Sequence, residues 1–206
     1  MKYKYQSDGW RPELSGKVID IGGADSFGHG QLDAIIDIRQ PQASANKIFV
    51  GDIDQPYIWD DVLEHAAVNG KWDYAICTHT LEDINNPFYA CRMIELIAKR
   101  GLIIIPSKYR ELSRFSDPYF RGYIHHRWIY DVQDGKFIAF PKINYIEHPY
   151  FDKACDMLPG RDELVIEWED KINLCQLNDG IPYGTETLSG DEHIKSLYKT
   201  LLNETN

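Results

Sequence analysis

Polar residues and glycines follow each of four successive apolar runs in this sequence. In chain order they are Gly22 and Gly23, then Asp37, then Asp52, and then Thr78 and His79. Ligands of open parallel sheets bind outside the carboxyl ends of the strands. A carboxylate after the second strand can accept hydrogen bonds from both hydroxyls of a ribose, and one after the third from an exocyclic amine. The order therefore predicts a nucleoside-type pocket at the carboxyl edge of a parallel sheet.

Each of these residues also has an ordinary structural role. Gly22 and Gly23 are typical of a plain tight turn, Asp37 of a strand end or cap, and Asp52 of the start of a loop. Taken together and in order they favour a ligand site, because four independent turns are not expected to carry these residue types by chance.

The apolar runs predict the elements that would hold these residues. Five runs are typical of strands buried on both faces, namely Lys17–Ile21, Ala34–Ile38, Lys47–Val50, Tyr74–Cys77 and Leu102–Ile105. Apolar residues at helical spacing predict a helix from Ile58 to Ala66 that stops at Asn69-Gly70. A second helix is predicted to begin with Asn86 as N-cap and Pro87 as its first residue, and to end at Gly101. This alternation predicts an α/β, doubly wound parallel sheet.

As an ensemble, these segments resemble the class I S-adenosylmethionine-dependent methyltransferases. Residues 18–24 resemble the first motif, in which an acid precedes a glycine-rich turn; residues 36–37 match the ribose-binding acid, and 51–53 the adenine-contacting segment. Residues 72–83 are similar to the fourth-strand signature. The match covers roughly residues 15 to 107, about half of the chain, and is typical of a methyltransferase type 11-like member with a compact first loop.

The resemblance implies a Rossmann-like, mostly parallel sheet of about seven strands and S-adenosyl-L-methionine as the cofactor. It implies cofactor contacts from Asp20, Gly22, Gly23, Ala24, Asp37, Ile38, Asp52, Ile53, Thr78 and His79. Residues 22–33 are short and polar, so the usual first helix is expected to be shortened or absent. The connection from Arg39 to Asn46 is likewise short for a crossover helix.

The second half of the chain differs in character. Residues 108–127 carry five basic residues among aromatic ones and only two acids, Glu111 and Asp117. We predict a lid or substrate wall for an anionic group, with substrate contacts from Arg121, Tyr123, Arg127 and Trp128. The alternative is a solvated loop paired with acidic patches elsewhere.

Further elements are predicted beyond this basic stretch. Trp128 to Phe140 is predicted to form a hairpin around Asp134-Gly135. Residues 163–169 are predicted to form a strand paired with 172–177, and a helix is expected after Ser189. We therefore predict one domain over 1–206, with a cofactor-binding half (15–107), a lid and substrate insertion (108–160), and last strands with a C-terminal helix (161–206). Residues 1–14 are expected to form an N-terminal arm.

Methyl transfer to an oxygen or nitrogen nucleophile requires alignment of the acceptor and usually a base near neutral pKa. His79 is the first candidate, and His125 or His126 the second. The alternative for His79 is a hydrogen bond to the backbone of the next loop. In an extended strand, His125 and His126 would point to opposite faces, so no metal site is predicted.

The composition limits the function classes. The chain has 206 residues and a formal net charge of −10, which argues against general affinity for nucleic acid. No secretory signal is evident, the longest apolar run is too short to span a membrane, and the four cysteines are expected to be reduced. These features predict a cytoplasmic protein acting on a small, possibly anionic molecule. Two alternatives stay open: a nucleotide-sugar or other nucleotide-binding Rossmann enzyme, and a non-catalytic binding protein. The absence of a G-x-G-x-x-G pattern argues against binding of a dinucleotide.

Overall fold

The computed structural model describes residues 1–7, 14, 16–23, 32–42, 44–147, 149 and 160–176. Several predicted features lie outside these residues. They are Ala24, the first loop from 24 to 31, Cys155, and the C-terminal helix after Ser189.

The described residues form ten strands and three α-helices. The strands are β1 (Lys2–Gln6), β2 (Val18–Ile21), β3 (Leu32–Asp37), β4 (Ala45–Val50), β5 (Tyr74–Thr78), β6 (Arg100–Pro106), β7 (Trp128–Gln133), β8 (Lys136–Pro141), β9 (Glu163–Glu169) and β10 (Leu174–Gln176). The helices are α1 (Pro56–Asn69), α2 (Pro87–Ile97) and α3 (Lys108–Leu112), with a 3-10 turn at Asn144–Glu147.

Seven strands form one mostly parallel sheet in the order β1-β9-β6-β5-β2-β3-β4. The run from β6 to β4 is parallel throughout, and β9 pairs antiparallel with both β6 and β1. The prediction of an α/β fold with a mostly parallel sheet of about seven strands is confirmed.

Both long helices pack on the same face of this sheet. Trp59 and Val62 of α1 and Ile94 of α2 join the large core cluster with Ile21 of β2 and Ile103 of β6. Right-handed crossovers place both helices there, because β4 to β5 and β5 to β6 step across the sheet in the same direction. The opposite steps, β2 to β3 and β3 to β4, would cover the other face. The described part of the second of these connections, 38–42 and 44, holds no helix.

Three predictions about the elements were wrong. Lys2–Gln6, expected in an arm, forms an edge strand whose pairing with β9 aligns Tyr3 with Ile166. Of the predicted segment 172–177, the described part 172–176 does not pair with β9; its strand β10 runs parallel to β8. Gly101 does not end α2 but lies inside β6, where a Cβ would collide with the backbone oxygen of Ala75.

The second sheet has the order β10-β8-β7 and packs on the helical face of the first. In it, β7 and β8 form an antiparallel hairpin whose turn residues, Asp134 and Gly135, have φ values of 50° and 71°. These left-handed conformations are those of a type I′ turn. Tyr130 and Phe137 of the hairpin are fully buried in the large core cluster.

Three of the four cysteines lie among the described residues. Cys77, Cys91 and Cys175 carry free thiols, and burial raises the pKa of both Cys77 and Cys91. No helix among the described residues has the length and apolar character needed to cross a bilayer.

Candidate functional site

A cavity of about 330 Å³ opens at the carboxyl edge of the parallel strands. It is lined by Gly22, Asp37, Ile38, Arg39, Asp52, Ile53, Asp54, His79, Thr80, Asp83 and Ile84. Of the residues predicted to converge here, Gly22, Asp37 and Asp52 line this hollow and Gly23 does not; that they bind a ligand stays a prediction. Its volume falls in the range of about 300–1,000 Å³ that is usual for small-molecule sites.

The two predicted nucleoside acids are fixed by their own loops. Asp37 ends β3, and its Oδ1 accepts a hydrogen bond of 2.8 Å from the backbone N–H of Arg39. Asp52 follows β4, and its Oδ1 accepts a 2.9 Å bond from the backbone N–H of Asp54. Local turns of this kind hold a short carboxylate side chain in one orientation. Both acids are thus oriented before any ligand arrives.

Gly22 supports the cavity through packing. Its φ of 77° lies in the left-handed region, and a Cβ at this position would collide with the side chain of Thr80. Thr80 Oγ1 in turn donates to the backbone oxygen of Thr78 at 3.0 Å. The glycine therefore lets the loop after β5 close against the loop after β2, which brings Thr80 to the cavity wall.

Other predicted cofactor residues do not line the cavity. Asp20 and Gly23 are buried and lie close in sequence to Gly22, but neither is part of the cavity wall. Thr78 also lies off the wall, and its buried Oγ1 has no hydrogen-bond partner among the described residues. Cofactor binding by Asp20, Gly23 and Thr78 stays a prediction.

Sequence reasoning missed five lining residues: Arg39, Asp54, Thr80, Asp83 and Ile84. Each lies within seven positions of a predicted lining residue, in the loop that follows β3, β4 or β5. The rule that ligands contact the loops after parallel strands could have found them, had it been applied to whole loops and not to the first polar residue.

The cavity wall carries an excess of negative charge. It has four carboxylates, on Asp37, Asp52, Asp54 and Asp83, and its other charged side chains are Arg39 and His79. The carboxylate of Asp54 is already occupied, because it accepts from the backbone N–H groups of Asn85 and Asn86 at 2.8 Å each. The remaining acids make the hollow favourable for a cationic ligand.

His79 lies at the cavity between two buried carboxylates. Its Nε2 is 2.8 Å from Oε1 of Glu163, and its Nδ1 is 3.3 Å from Oε1 of Glu82. Partial burial alone would lower the pKa of His79, but the two carboxylates outweigh it and raise that pKa to about 9. The ring is therefore protonated at neutral pH. Its backbone φ of 49° lies in the left-handed region, which is uncommon for residues other than glycine.

Glu82 is buried next to His79, which lines the cavity. Burial raises the pKa of its carboxyl, and the nearby His79 opposes that effect. Among the described residues, His79 is the closest partner, yet no hydrogen bond of good geometry reaches either side-chain oxygen of Glu82. The backbone oxygen of Glu82 accepts from the N–H of Arg127 at 2.7 Å, which ties this loop to the segment before β7.

His125 and His126 do not lie in a strand. They occupy a turn before β7, and their ring centroids are 4.5 Å apart. The expectation that they point to opposite faces of a strand was wrong. His126 is buried and its Nδ1 lies 2.7 Å from Oε1 of Glu111, while His125 is exposed. Neither ring lines the cavity, but both approach Asp83, which does.

The four predicted substrate residues make internal contacts. Arg121 is buried and donates to the backbone oxygens of Leu112 and Ile146, each at 2.8 Å. The Tyr123 hydroxyl lies 2.6 Å from the guanidinium of Arg110. Arg127 and Trp128 donate to the backbone oxygens of Asp83 and Ile84, next to the cavity. None of the four lines the cavity, so a role in substrate binding stays a prediction.

No family model matches this sequence, and no curated protein matches it either. Solved structures do match in part. One is a cyclopropane-fatty-acyl-phospholipid synthase-like protein from Lactobacillus casei, 16% identical over 46% of this chain and 44% of that one, with a TM-score of 0.31. Another is an S-adenosylmethionine-dependent methyltransferase from Mesorhizobium loti, 10% identical over 64% and 60%, with a TM-score of 0.35.

A third is the N-terminal domain of EvdMO1 with SAH bound, 11% identical over 77% of this chain and 60% of that one, with a TM-score of 0.35. The matched parts are less than two thirds of each of these three proteins. Overlaps this partial do not carry a function to this chain, which we infer from its own residues.

Proposed function

We propose that this chain binds S-adenosyl-L-methionine in the cavity and transfers its methyl group to an oxygen or nitrogen of a small acceptor. The observation that carries the proposal is the meeting of Gly22, Asp37 and Asp52 on one hollow at the carboxyl edge. Asp37 would accept hydrogen bonds from the ribose hydroxyls, and Asp52 from the adenine amine. When bound, the cofactor supplies a methyl group already activated on a sulfonium.

The charge of the cavity favours this cofactor over phosphate-bearing ones. The sulfonium and ammonium groups of S-adenosylmethionine are cations, which suit a wall with four carboxylates. A dinucleotide or a nucleotide sugar would bring a pyrophosphate to the same acids and be repelled. Arg39 is the arginine of the wall, and its side chain is 68% exposed, so it offers weak compensation.

Within this proposal, His79 acts as a charged orienting group. A general base works best with a pKa near the operating pH, whereas the pKa of His79 is about 9. Its Nε2 is also occupied by Glu163. The carboxylates of Glu82 and Glu163 offset the charge of this ring, so His79 gives no support for an anionic acceptor, and the charge of the substrate stays a prediction.

A non-catalytic binding protein is the second candidate. It is favoured by the same observation on His79, since the residue best placed for a base is held between two carboxylates. Such a protein would bind the cofactor and transfer no methyl group to any acceptor.

Ligand-induced stabilisation tests the proposal. We expect S-adenosylhomocysteine to raise the melting temperature, with about 2.7 kcal/mol of stabilisation at 100 times its dissociation constant, and NAD or a nucleotide sugar to have little effect. Asp37→Asn should remove the response because it replaces the ribose acceptor. The matched control is Asp60→Asn on the exposed side of α1, which should keep it.

A response to NAD or to the nucleotide sugar that exceeds the response to S-adenosylhomocysteine would overturn the proposal. An unchanged response in Asp37→Asn would show that the ligand binds elsewhere. Isothermal titration of the same variants separates a lost affinity from a changed unfolding temperature.

A further inference from the structure

Three side chains with metal-binding atoms meet at the rim of the cavity. Oδ1 of Asp83 lies 3.8 Å from Nε2 of His126 and 3.9 Å from Nε2 of His125. All three donor atoms lie within 4.8 Å of one another. We propose that Asp83, His125 and His126 bind a divalent transition-metal ion of the zinc type.

His126 is the anchored ligand of the three. Its side chain is only 6% exposed, and its Nδ1 lies 2.7 Å from Oε1 of Glu111. The other oxygen of Glu111 accepts from the ammonium of Lys142 at 2.6 Å, and with this carboxylate as hydrogen-bond acceptor, Nδ1 of His126 is the nitrogen that carries the ring proton. The Nε2 lone pair is thereby left facing Asp83. A histidine held through one nitrogen by a carboxylate is the usual arrangement of a metal ligand.

The other parts of the cluster are restrained by their neighbours. The Tyr123 ring packs against both imidazoles, with centroid distances of 5.7 Å to His125 and 4.6 Å to His126. The backbone N–H of Asp83 donates to Thr80, and its backbone oxygen accepts from Nε of Arg127 at 3.0 Å. The loop that carries Asp83 is thus tied to the segment that carries the two histidines.

The donor distances suit an open site that closes on an ion. With metal–ligand bonds of about 2.0–2.2 Å, donor atoms in a tetrahedral site are separated by roughly 3.4 Å. The two observed separations from Asp83 exceed this by about half an ångström. His125 and Asp83 have side chains 62% and 44% exposed, so both can turn toward the fixed Nε2 of His126.

Two imidazoles and one carboxylate favour zinc and its first-row neighbours over magnesium or calcium, which prefer oxygen ligands alone. Three protein ligands leave at least one coordination position open. Because Asp83 also lines the cavity, an ion held there could coordinate an acceptor hydroxyl and ease loss of the hydroxyl proton. This last step rests on the proposed function; metal binding itself does not.

Cobalt(II) and zinc(II) are suitable probes for the untagged full chain. We expect one equivalent of cobalt to bind with the visible absorption of a four- or five-coordinate ion, and zinc to displace it. His125→Ala should weaken binding by at least ten- to a hundred-fold, the loss seen when merely an orienting partner is removed. Asp83→Asn, which keeps the side-chain shape, should weaken it as well.

The matched control is His65→Gln. His65 stacks on Trp72 with a centroid distance of 5.3 Å and lies outside the cluster, so this variant should bind cobalt like the unmodified chain. Absence of saturable cobalt or zinc binding would overturn the inference. So would a cobalt affinity in His125→Ala and Asp83→Asn equal to that of the unmodified chain. Cobalt binding without any response to S-adenosylhomocysteine would uphold the metal site and defeat the proposed function.

Discussion

Two regions of this molecule carry many charged side chains, and they use them in opposite ways. The first is the sheet edge, defined as the loops after β2, β3, β4 and β5, whose acids Asp37 and Asp52 line the cavity. The second is the basic segment, residues 107–147. At the sheet edge, short side chains bond to their own loops and still face the hollow. In the basic segment, three long cationic side chains, those of Lys108, Arg121 and Lys142, are buried against groups inside the protein.

The contacts of the basic segment account for its positive charge. Lys108 lies 2.9 Å from Asp131, and Lys142 lies 2.6 Å from Glu111, with all four side chains at most 7% exposed. Arg121 donates to backbone oxygens. A cluster of positive residues in a sequence therefore indicates a ligand site only where no internal acceptor is within reach.

Breaking a buried pair in the basic segment gives the largest expected effect. Lys108→Met leaves the Asp131 carboxyl group buried without its cationic partner, which should lower the free energy of unfolding by about 3–5 kcal/mol. Tyr5 and Gln133 still donate to Asp131, so the lower end of that range is expected. Urea denaturation followed by circular dichroism measures it.

The matched control is Lys136→Met in the exposed start of β8, which should change stability by no more than about 0.5 kcal/mol. Equal losses in the two lysine variants would mean that the Lys108–Asp131 pair is not a buried structural contact. The contrast between the two regions would then fail.

Two glycines with similar backbone angles sharpen the comparison further. Gly22 (φ 77°) faces Thr80 at the sheet edge, whereas Gly135 (φ 71°) in the hairpin turn has no atom within 4 Å of an added Cβ. Gly135→Ala should cost only the left-handed backbone energy, about 1–2 kcal/mol. Gly22→Ala adds a collision and should cost about 2–4 kcal/mol in total.

Adding Thr80→Ala to Gly22→Ala should recover part of the extra loss, because it removes the two atoms nearest to the new methyl group. If Gly22→Ala and Gly135→Ala lost the same stability, packing of Gly22 on Thr80 would have no energetic weight. Both variants are compared by denaturation under one set of conditions.

The residues of the sheet edge could be predicted because each of them lies next to its own strand in the sequence. Each parallel strand is an apolar run, and each run ends next to the residue that faces the cavity, so Asp37 and Asp52 follow from their position. The same holds for α2, where the Asn86 side chain accepts from the N–H of Tyr89 and Pro87 is the first residue, as predicted.

The features of the site that could not be predicted depend on contacts between residues that are distant in sequence. The partner of His79, Glu163, lies 84 positions away, and the partner of Lys142, Glu111, lies 31 positions away. No spacing rule links such residues, so the protonated state of His79 and the internal use of the basic segment could not be foreseen. The strand Lys2–Gln6 did carry a local indication, since Tyr3 and Tyr5 alternate with lysines, but an alternation of five residues is a weak one.

His79 belongs to both regions, because it lies at the sheet edge yet is held by a buried carboxylate from β9. Its pKa is raised to about 9 from an ordinary 6.5. The favourable contribution of a group with a raised native pKa is complete below the unfolded pKa and is lost as pH rises through the native one. The stability that His79 provides should therefore be present below pH 6.5, decline between 6.5 and 9, and be absent above 9.

We expect the stability difference between the unmodified chain and His79→Gln to shrink by about 1–2 kcal/mol across this window, after allowance for solvent screening of a side chain that is 36% exposed. A ring titration followed by NMR locates the pKa directly, and Glu163→Gln should move it downward because a charged partner is removed. A titration near 6.5 in the unmodified chain would place His79 with the open groups of the sheet edge and restore it as the leading candidate for the base.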